Sequence, residues 1–264
     1  SRRHRVRGVR SRQRHAGRLN IGITEHIFAP DLAHAGSARR LAMDKGLELL
    51  PALDKAALVS TDADSRPPTD WLRNIAAAFS RGADLVGGRI DIDGAEPLPP
   101  QVQRLRMAWD RYWVNVRTIE DMIDPLPWDP APRHGDHTGA SLAIRAALYL
   151  ACGGVPAIAS GEDRALVTAA LAQGGRLVHP VMVSTRVSPR LDGRADGGMA
   201  AGMQTLFASA QKNISPMAPA FTHWHERAHW RRQLRMQPDG AALIALQEPL
   251  LPPMPHDMVL ELQP

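Results

Sequence analysis

Cysteine is almost missing from this chain: Cys152 stands alone among 264 residues. One thiol excludes an intrachain disulfide and suits a reducing compartment. Aromatic residues make up only 5% of the sequence. No apolar run approaches the roughly 20 residues that a membrane-spanning helix needs. The basic N-terminus is not followed by an apolar core, so it does not read as a secretory signal. Internal repeats are also lacking. A cytoplasmic location is therefore expected, with peripheral membrane contact as the only membrane association.

Acidic residues are missing from one place in particular. Residues 1–18 carry eight arginines and no aspartate or glutamate. Taking those eight charges from the net +5 leaves −3 for the rest, so the basicity belongs to a tail and the body is mildly acidic. The segment 1–19 has neither periodicity nor apolar content and is expected to be disordered. Three origins compete for it: an arm for nucleic acid or anionic lipid, a solvated tail, or a stretch not native to the fold. It has no interleaved aromatics and no recognition motif after it, so nucleic acid is not an expected partner.

What is present alternates between strand and helix signals, the pattern of an α/β sheet covered by helices. The length suits one large α/β domain or two small ones. Asn20–Phe28 alternates Ile21 and Ile23 with smaller or polar residues and predicts a short strand. Ser37 is a candidate cap for a helix to about Leu50. Ala56–Ser60 predicts a buried strand, and Thr69 or Asp70 caps a helix through Trp71, Ile75 and Phe79 that stops at Gly82. Ala83–Asp93 reads as one further strand, and Val102–Ile123 as a long amphipathic helix with Trp109, Tyr112 and Trp113 in the core. After a loop rich in Pro, Asp and His come a strand at Ser141–Arg145, a helix at 146–150, a helix opening at Gly161-Glu162-Asp163 and a strand at Arg176–Ser184. Helices near Gly198–Lys212 and Phe221–Met236 complete the pattern. The last contains His223-Trp224-His225-Glu226-Arg227 and Trp230-Arg231-Arg232, expected as an ordinary terminal helix, with a membrane-facing basic surface as the alternative.

The feature around which the chain is organised is Ser60-Thr61-Asp62-Ala63-Asp64. Strand side chains alternate faces, so two aspartates one residue apart can point the same way past the strand's C-terminal end. Open α/β sheets bind ligands at that edge. Two carboxylates there suit a hard divalent cation carrying substrate phosphates. A solvated turn explains the same residues equally well on spacing alone. His134, His137 and His179 match no zinc spacing and are expected as loop or acceptor-site residues.

Taken together, several motifs resemble those of family-2 glycosyltransferases of the GT-A fold. They are Ala38-Arg39, Thr61-Asp62-Ala63-Asp64, Trp71, Gly87-Gly88, Thr138-Gly139-Ala140-Ser141-Leu142-Ala143-Ile144-Arg145, Gly153-Gly154 and Gly161-Glu162-Asp163. The loop Arg186, Arg190, Gly193-Arg194, Gly197-Gly198 fits the family's C-terminal part. The resemblance spans about Ile21 to Met199. It implies a mixed, mainly parallel sheet flanked by helices, in a catalytic domain at 20–215 followed by a helical extension at 216–264. It also implies a nucleotide-sugar donor and Mg²⁺ or Mn²⁺ held by Asp64 and Asp62, with Asp62 toward the ribose or sugar. Asp163 becomes the candidate general base for inverting transfer to an acceptor hydroxyl; by itself it reads equally as a first-turn helix carboxylate. Ala38, Arg39, Arg190 and Arg194 fall to the donor side. His137, Thr138, Gly139, Ala140 and Glu162 fall to the acceptor or sugar pocket.

The first two strands usual in that family, which hold the nucleotide base, have no counterpart here. The sequence therefore predicts a truncated or misread family member, with a noncatalytic remnant as the alternative to an active enzyme.

Overall fold

The computed structural model describes residues 21–95, 97–193 and 198–262. The tail at 1–19 and Arg194 lie outside them. Backbone proximity divides the chain into two units, one ending at Ala33 and one running from His34 to Pro264. In the first, Ile21–Ala29 has no regular secondary structure and Pro30–Leu32 forms a single 3₁₀ turn. The strand predicted over Asn20–Phe28 does not form at its described positions. Alternation makes a strand only where a neighbour accepts its backbone hydrogen bonds, and Ile27 is 97% exposed.

The second unit begins with helix α1, Ala35–Glu48. Its cap is His34 rather than Ser37: the Ser37 N–H donates to His34 Nδ1 at 3.2 Å, and Ser37 itself is buried in the first turn. Then follow β1 (Ala57–Ser60), α2 (Trp71–Ser80), β2 (Leu85–Gly87), β3 (Arg89–Ile92) and α3 (Pro100–Ile123). After a long loop come β4 (Leu142–Arg145), α4 (Ala146–Ala151), α5 (Glu162–Ala172), β5 (Leu177–Val178) and β6 (Ser184–Val187). Helix α6 (Met199–Gln211), β7 (Met217–Ala218), α7 (Phe221–Arg235), α8 (Gly240–Gln247) and β8 (Met258–Val259) complete the order.

The main sheet runs β1-β4-β2-β5. Strand β4 is antiparallel to both β1 and β2, and only β2 and β5 run parallel. The α/β class holds, but this sheet is mixed rather than mainly parallel. The chain re-enters at the edge from which β1 and β2 leave, so β4 has to run the opposite way. Among the described residues β1 is an outer strand. Two predicted strands are each split. Ala83–Asp93 breaks at Gly88, whose N–H donates to the Ser141 carbonyl at 2.8 Å, and β3 then pairs in parallel with β6 in a separate ribbon. Likewise Arg176–Ser184 yields only β5, before the chain turns into β6.

The pleat distributes side chains between two cores. Leu58, Leu85, Leu142, Ile144 and Leu177 face Met43, Tyr149, Leu166 and Val167 from α1, α4 and α5. Val86, Ala143 and Val178 face Trp71, Ile75 and Ala78 of α2. Helices thus cover both faces of the sheet.

A third cluster joins Tyr112 and Val116 of α3 to Ala218, Phe221 and Trp224. Residues between 216 and 262 pack against α3 through it, and α8 lies against α5. Buried Glu120 accepts from Arg117 at 2.7 Å, Arg133 at 3.2 Å and Arg231 at 2.6 Å, tying α3 to the long loop and to α7. Burial alone would raise its pKa, but Arg117 and Arg231 outweigh that and hold it down at about 2.

Candidate functional site

Three chain segments meet at the end where β1 leaves the sheet. Past Ser60 the backbone turns, with Ser65 N–H donating to the Asp62 carbonyl at 3.1 Å. Asp62 and Asp64 therefore sit in a turn, and the strand pleat does not set their directions. The 3₁₀ turn Gly139–Ser141, which feeds β4, lies beside β1. Gly161, left-handed at φ +77°, opens α5 and delivers Glu162 and Asp163 to the same place. Glycine suits such an entry because a Cβ resists positive φ.

Arg39 on α1 binds all three segments. Its Nε donates to Glu162 Oε1 at 3.0 Å, Nη2 to Asp62 Oδ1 at 2.9 Å, and Nη1 to the Gly139 carbonyl at 2.9 Å and to Ser60 Oγ. Ser60 Oγ also donates to the Gly139 carbonyl, at 2.9 Å. Burial would lower the Arg39 pKa, but hydrogen bonds and charge from Asp62 and Glu162 raise it above the ordinary value. The planar guanidinium supplies the fork of donors that this convergence needs. On the other side of the turn, the Gly139 N–H donates to Asp163 Oδ2 at 2.8 Å, and the Arg164 N–H donates to Oδ1 at 2.7 Å. Residues 39, 60, 62, 139, 162 and 163 are thus one assembly, and Ala38 lies beside it on α1. A groove of about 450 Å³ opens on it between α1 and β1, lined by Ala38, Arg39, Met43, Leu58, Ser60 and Asp62.

The two aspartates part company here. Asp62 faces Arg39, whereas Asp64 is ion-paired with Arg190. Both carboxylates are partly exposed. No set of three His, Cys, Asp or Glu side chains among the described residues is arranged to hold a metal ion. Mg²⁺ and Mn²⁺ take one or two carboxylates and fill their remaining positions with water and phosphate oxygens, so Asp62 and Asp64 are the residues here that would hold such an ion, each in competition with its arginine. Arg186 lies in β6, where its backbone bridges Arg66.

The three histidines that match no sequence spacing come together. The His134 and His179 rings are 5.5 Å apart, and those of His137 and His179 are 5.8 Å apart. Asp129, which the sequence did not single out, accepts the His179 N–H at 2.7 Å and lies 2.8 Å from His179 Nδ1. A carboxylate only accepts, so Nδ1 carries the proton. The Asp136 N–H donates to His134 Nδ1 at 3.0 Å, which puts the proton of neutral His134 on Nε2. Burial, then repulsion from His179, holds both His134 and His137 down at about 4. Burial would raise the Asp129 carboxyl, but its bonds to His179 and the nearby Arg133 bring it below the usual range. Ser60 was also missed, since a serine at the end of an apolar run gives no signal of its own.

Thr138 precedes the 3₁₀ turn, and Ala140 is buried within it. Comparisons with protein-family models, with curated proteins and with solved structures gave no match.

Proposed function

We propose that the chain is a metal-dependent glycosyltransferase domain that moves a sugar from a nucleotide-sugar donor to an acceptor hydroxyl. One observation carries this reading: Arg39, Asp62, Gly139, Glu162 and Asp163, drawn from four separated motifs, converge through direct hydrogen bonds.

In this reading Asp64 and Asp62 hold a divalent cation. When bound, that ion neutralises the charge building on the departing nucleoside diphosphate. Asp163 accepts the proton of the attacking acceptor hydroxyl. Its two backbone N–H bonds orient the carboxylate. Arg39 fixes the spacing between the donor-side turn and the start of α5, so it acts as a positioning residue. Arg190 pairs with Asp64 now and is suited to pass to a diphosphate, given the geometry of its guanidinium. Neutral His137 beside Asp163 offers the acceptor a hydrogen-bonding partner without adding charge.

The test is release of nucleoside diphosphate from a panel of nucleotide-sugars with Mn²⁺ and purified protein. Asp64→Ala is expected to abolish release, and Asp163→Asn to slow it by about 10²- to 10⁴-fold. Unchanged turnover in Asp64→Ala would remove the assignment.

A second reading, a noncatalytic scaffold derived from such an enzyme, has its own support. Asp62 and Asp64 are each already neutralised by an arginine. Calorimetry with uridine and guanosine diphosphates plus Mn²⁺ separates the two: heat of binding favours the enzyme, and a folded protein without heat favours the scaffold.

A further inference from the structure

Helix α7 carries a second arrangement, unrelated to the convergence on Arg39. Its sequence includes His225-Glu226-Arg227-Ala228-His229. Positions four apart fall on one helix face, one turn above the other. A different face of α7 is the packed one: Trp224 joins the aromatic cluster with Tyr112, Ala228 is buried, and Arg231 and Arg235 pair with Glu120 and Asp124. His225 and His229 are therefore turned outward. Both rings are exposed, and no hydrogen bond to another described residue occupies their nitrogens. Their centroids lie 4.5 Å apart with 57° between the ring planes.

We propose that His225 and His229 form a chelating site for a divalent transition metal, with Cu²⁺ preferred and Ni²⁺ next. Imidazole is the commonest metal-ligating side chain, and the helix fixes the spacing of the two backbone positions, so only the side-chain rotamers remain to be ordered. The separation discriminates among metals. A metal sits about 2.0 Å from an imidazole nitrogen, hence about 3.2 Å from the ring centre. Two rings at right angles on one metal then have centres about 4.5 Å apart, against about 5.2 Å for a tetrahedral pair. The observed 4.5 Å equals the first of these values, so the pair can take neighbouring positions in a tetragonal or octahedral shell, the geometry of Cu²⁺ and Ni²⁺ rather than of structural Zn²⁺, by turning one nitrogen of each ring to a shared ion. The order of affinities for nitrogen ligands runs the same way.

The site is open. No third His, Cys, Asp or Glu completes a closed set among the described residues, so water or a small anion fills the other positions. Glu226 is the next residue along the helix and is exposed, near enough to add negative charge that favours a cation.

The experiment titrates the full chain with CuCl₂, following heat and the electron paramagnetic resonance spectrum. The expected result is one site per chain with a tetragonal, two-nitrogen signal. His225→Ala and His229→Ala should each weaken binding on the order of 10²-fold, because the second imidazole no longer binds intramolecularly. Both positions are exposed, so circular dichroism and thermal midpoint without metal should match the parent chain. Binding and spectrum unchanged in the His225→Ala/His229→Ala double variant would overturn the proposal. So would an all-oxygen signal in the parent, which would put the ion on carboxylates.

Discussion

Arg39 Nε donates to Glu162 Oε1 at 3.0 Å across 123 positions of sequence, and both side chains are largely withdrawn from water. Removing the cation strands a buried carboxylate. Arg39→Met is expected to cost about 3–5 kcal/mol in urea unfolding. Arg39→Lys should recover little, because an ammonium cannot reach Asp62, Gly139 and Glu162 together. The double variant Arg39→Met/Glu162→Gln should be more stable than Arg39→Met alone, since the buried Glu162 charge is gone and Asp62, the other carboxylate left without Arg39, is partly exposed to water. Equal stability of the two would mean that the Glu162 charge costs nothing once Arg39 is removed.

The turn at Gly139 has no room for a side chain. A Cβ built there would stand 2.3 Å from Arg39 Cζ. Gly139→Ala is expected to displace the guanidinium and to destabilise by about 1–3 kcal/mol. Gly202, inside α6 with open space around it, is the control. Gly202→Ala should leave stability unchanged or raise it by up to about 1 kcal/mol through helix propensity. Thermal melts of the two variants side by side check both expectations.

Glu120 titrates at about 2 in the folded protein, against 4.5 ordinarily. A lowered carboxylate pKa stabilises the fold above the unfolded value. That contribution, roughly 3 kcal/mol, is lost as pH falls from about 4.5 to about 2. Glu120→Gln should therefore be less stable at neutral pH and lose less stability than the parent between those values. Denaturant midpoints measured from pH 6 downward decide it.

His134 and His137 act in a higher window. Both are held neutral down to about 4, whereas an unfolded imidazole titrates near 6.5. The unfolded chain binds the extra protons, so stability falls as pH drops from about 6.5 to about 4. His137→Gln should flatten the slope of denaturant midpoint against pH across that range. A slope equal to the parent's would place the acid sensitivity elsewhere.

Local chemistry determined much of this protein. Apolar spacing specified α2, α3 and α5 nearly to their ends, because each helix buries one stripe and its sequence repeats with the helical period. The apolar run before Asp62 specified β1, and the motif positions identified which residues to watch. Tertiary structure decided the remainder. Whether Ile21 and Ile23 belong to a strand depends on a neighbour and not on alternation. Splitting of the second strand at Gly88 depends on the Ser141 carbonyl, 53 positions away. The antiparallel direction of β4 follows from where the long loop returns. The gathering of His134 and His137 around His179, which Asp129 holds, and the directions taken by Asp62 and Asp64, are likewise invisible in sequence spacing. A side chain such as Arg39 has no partners until distant turns are brought to it, and folding chooses them by satisfying every buried charge at once.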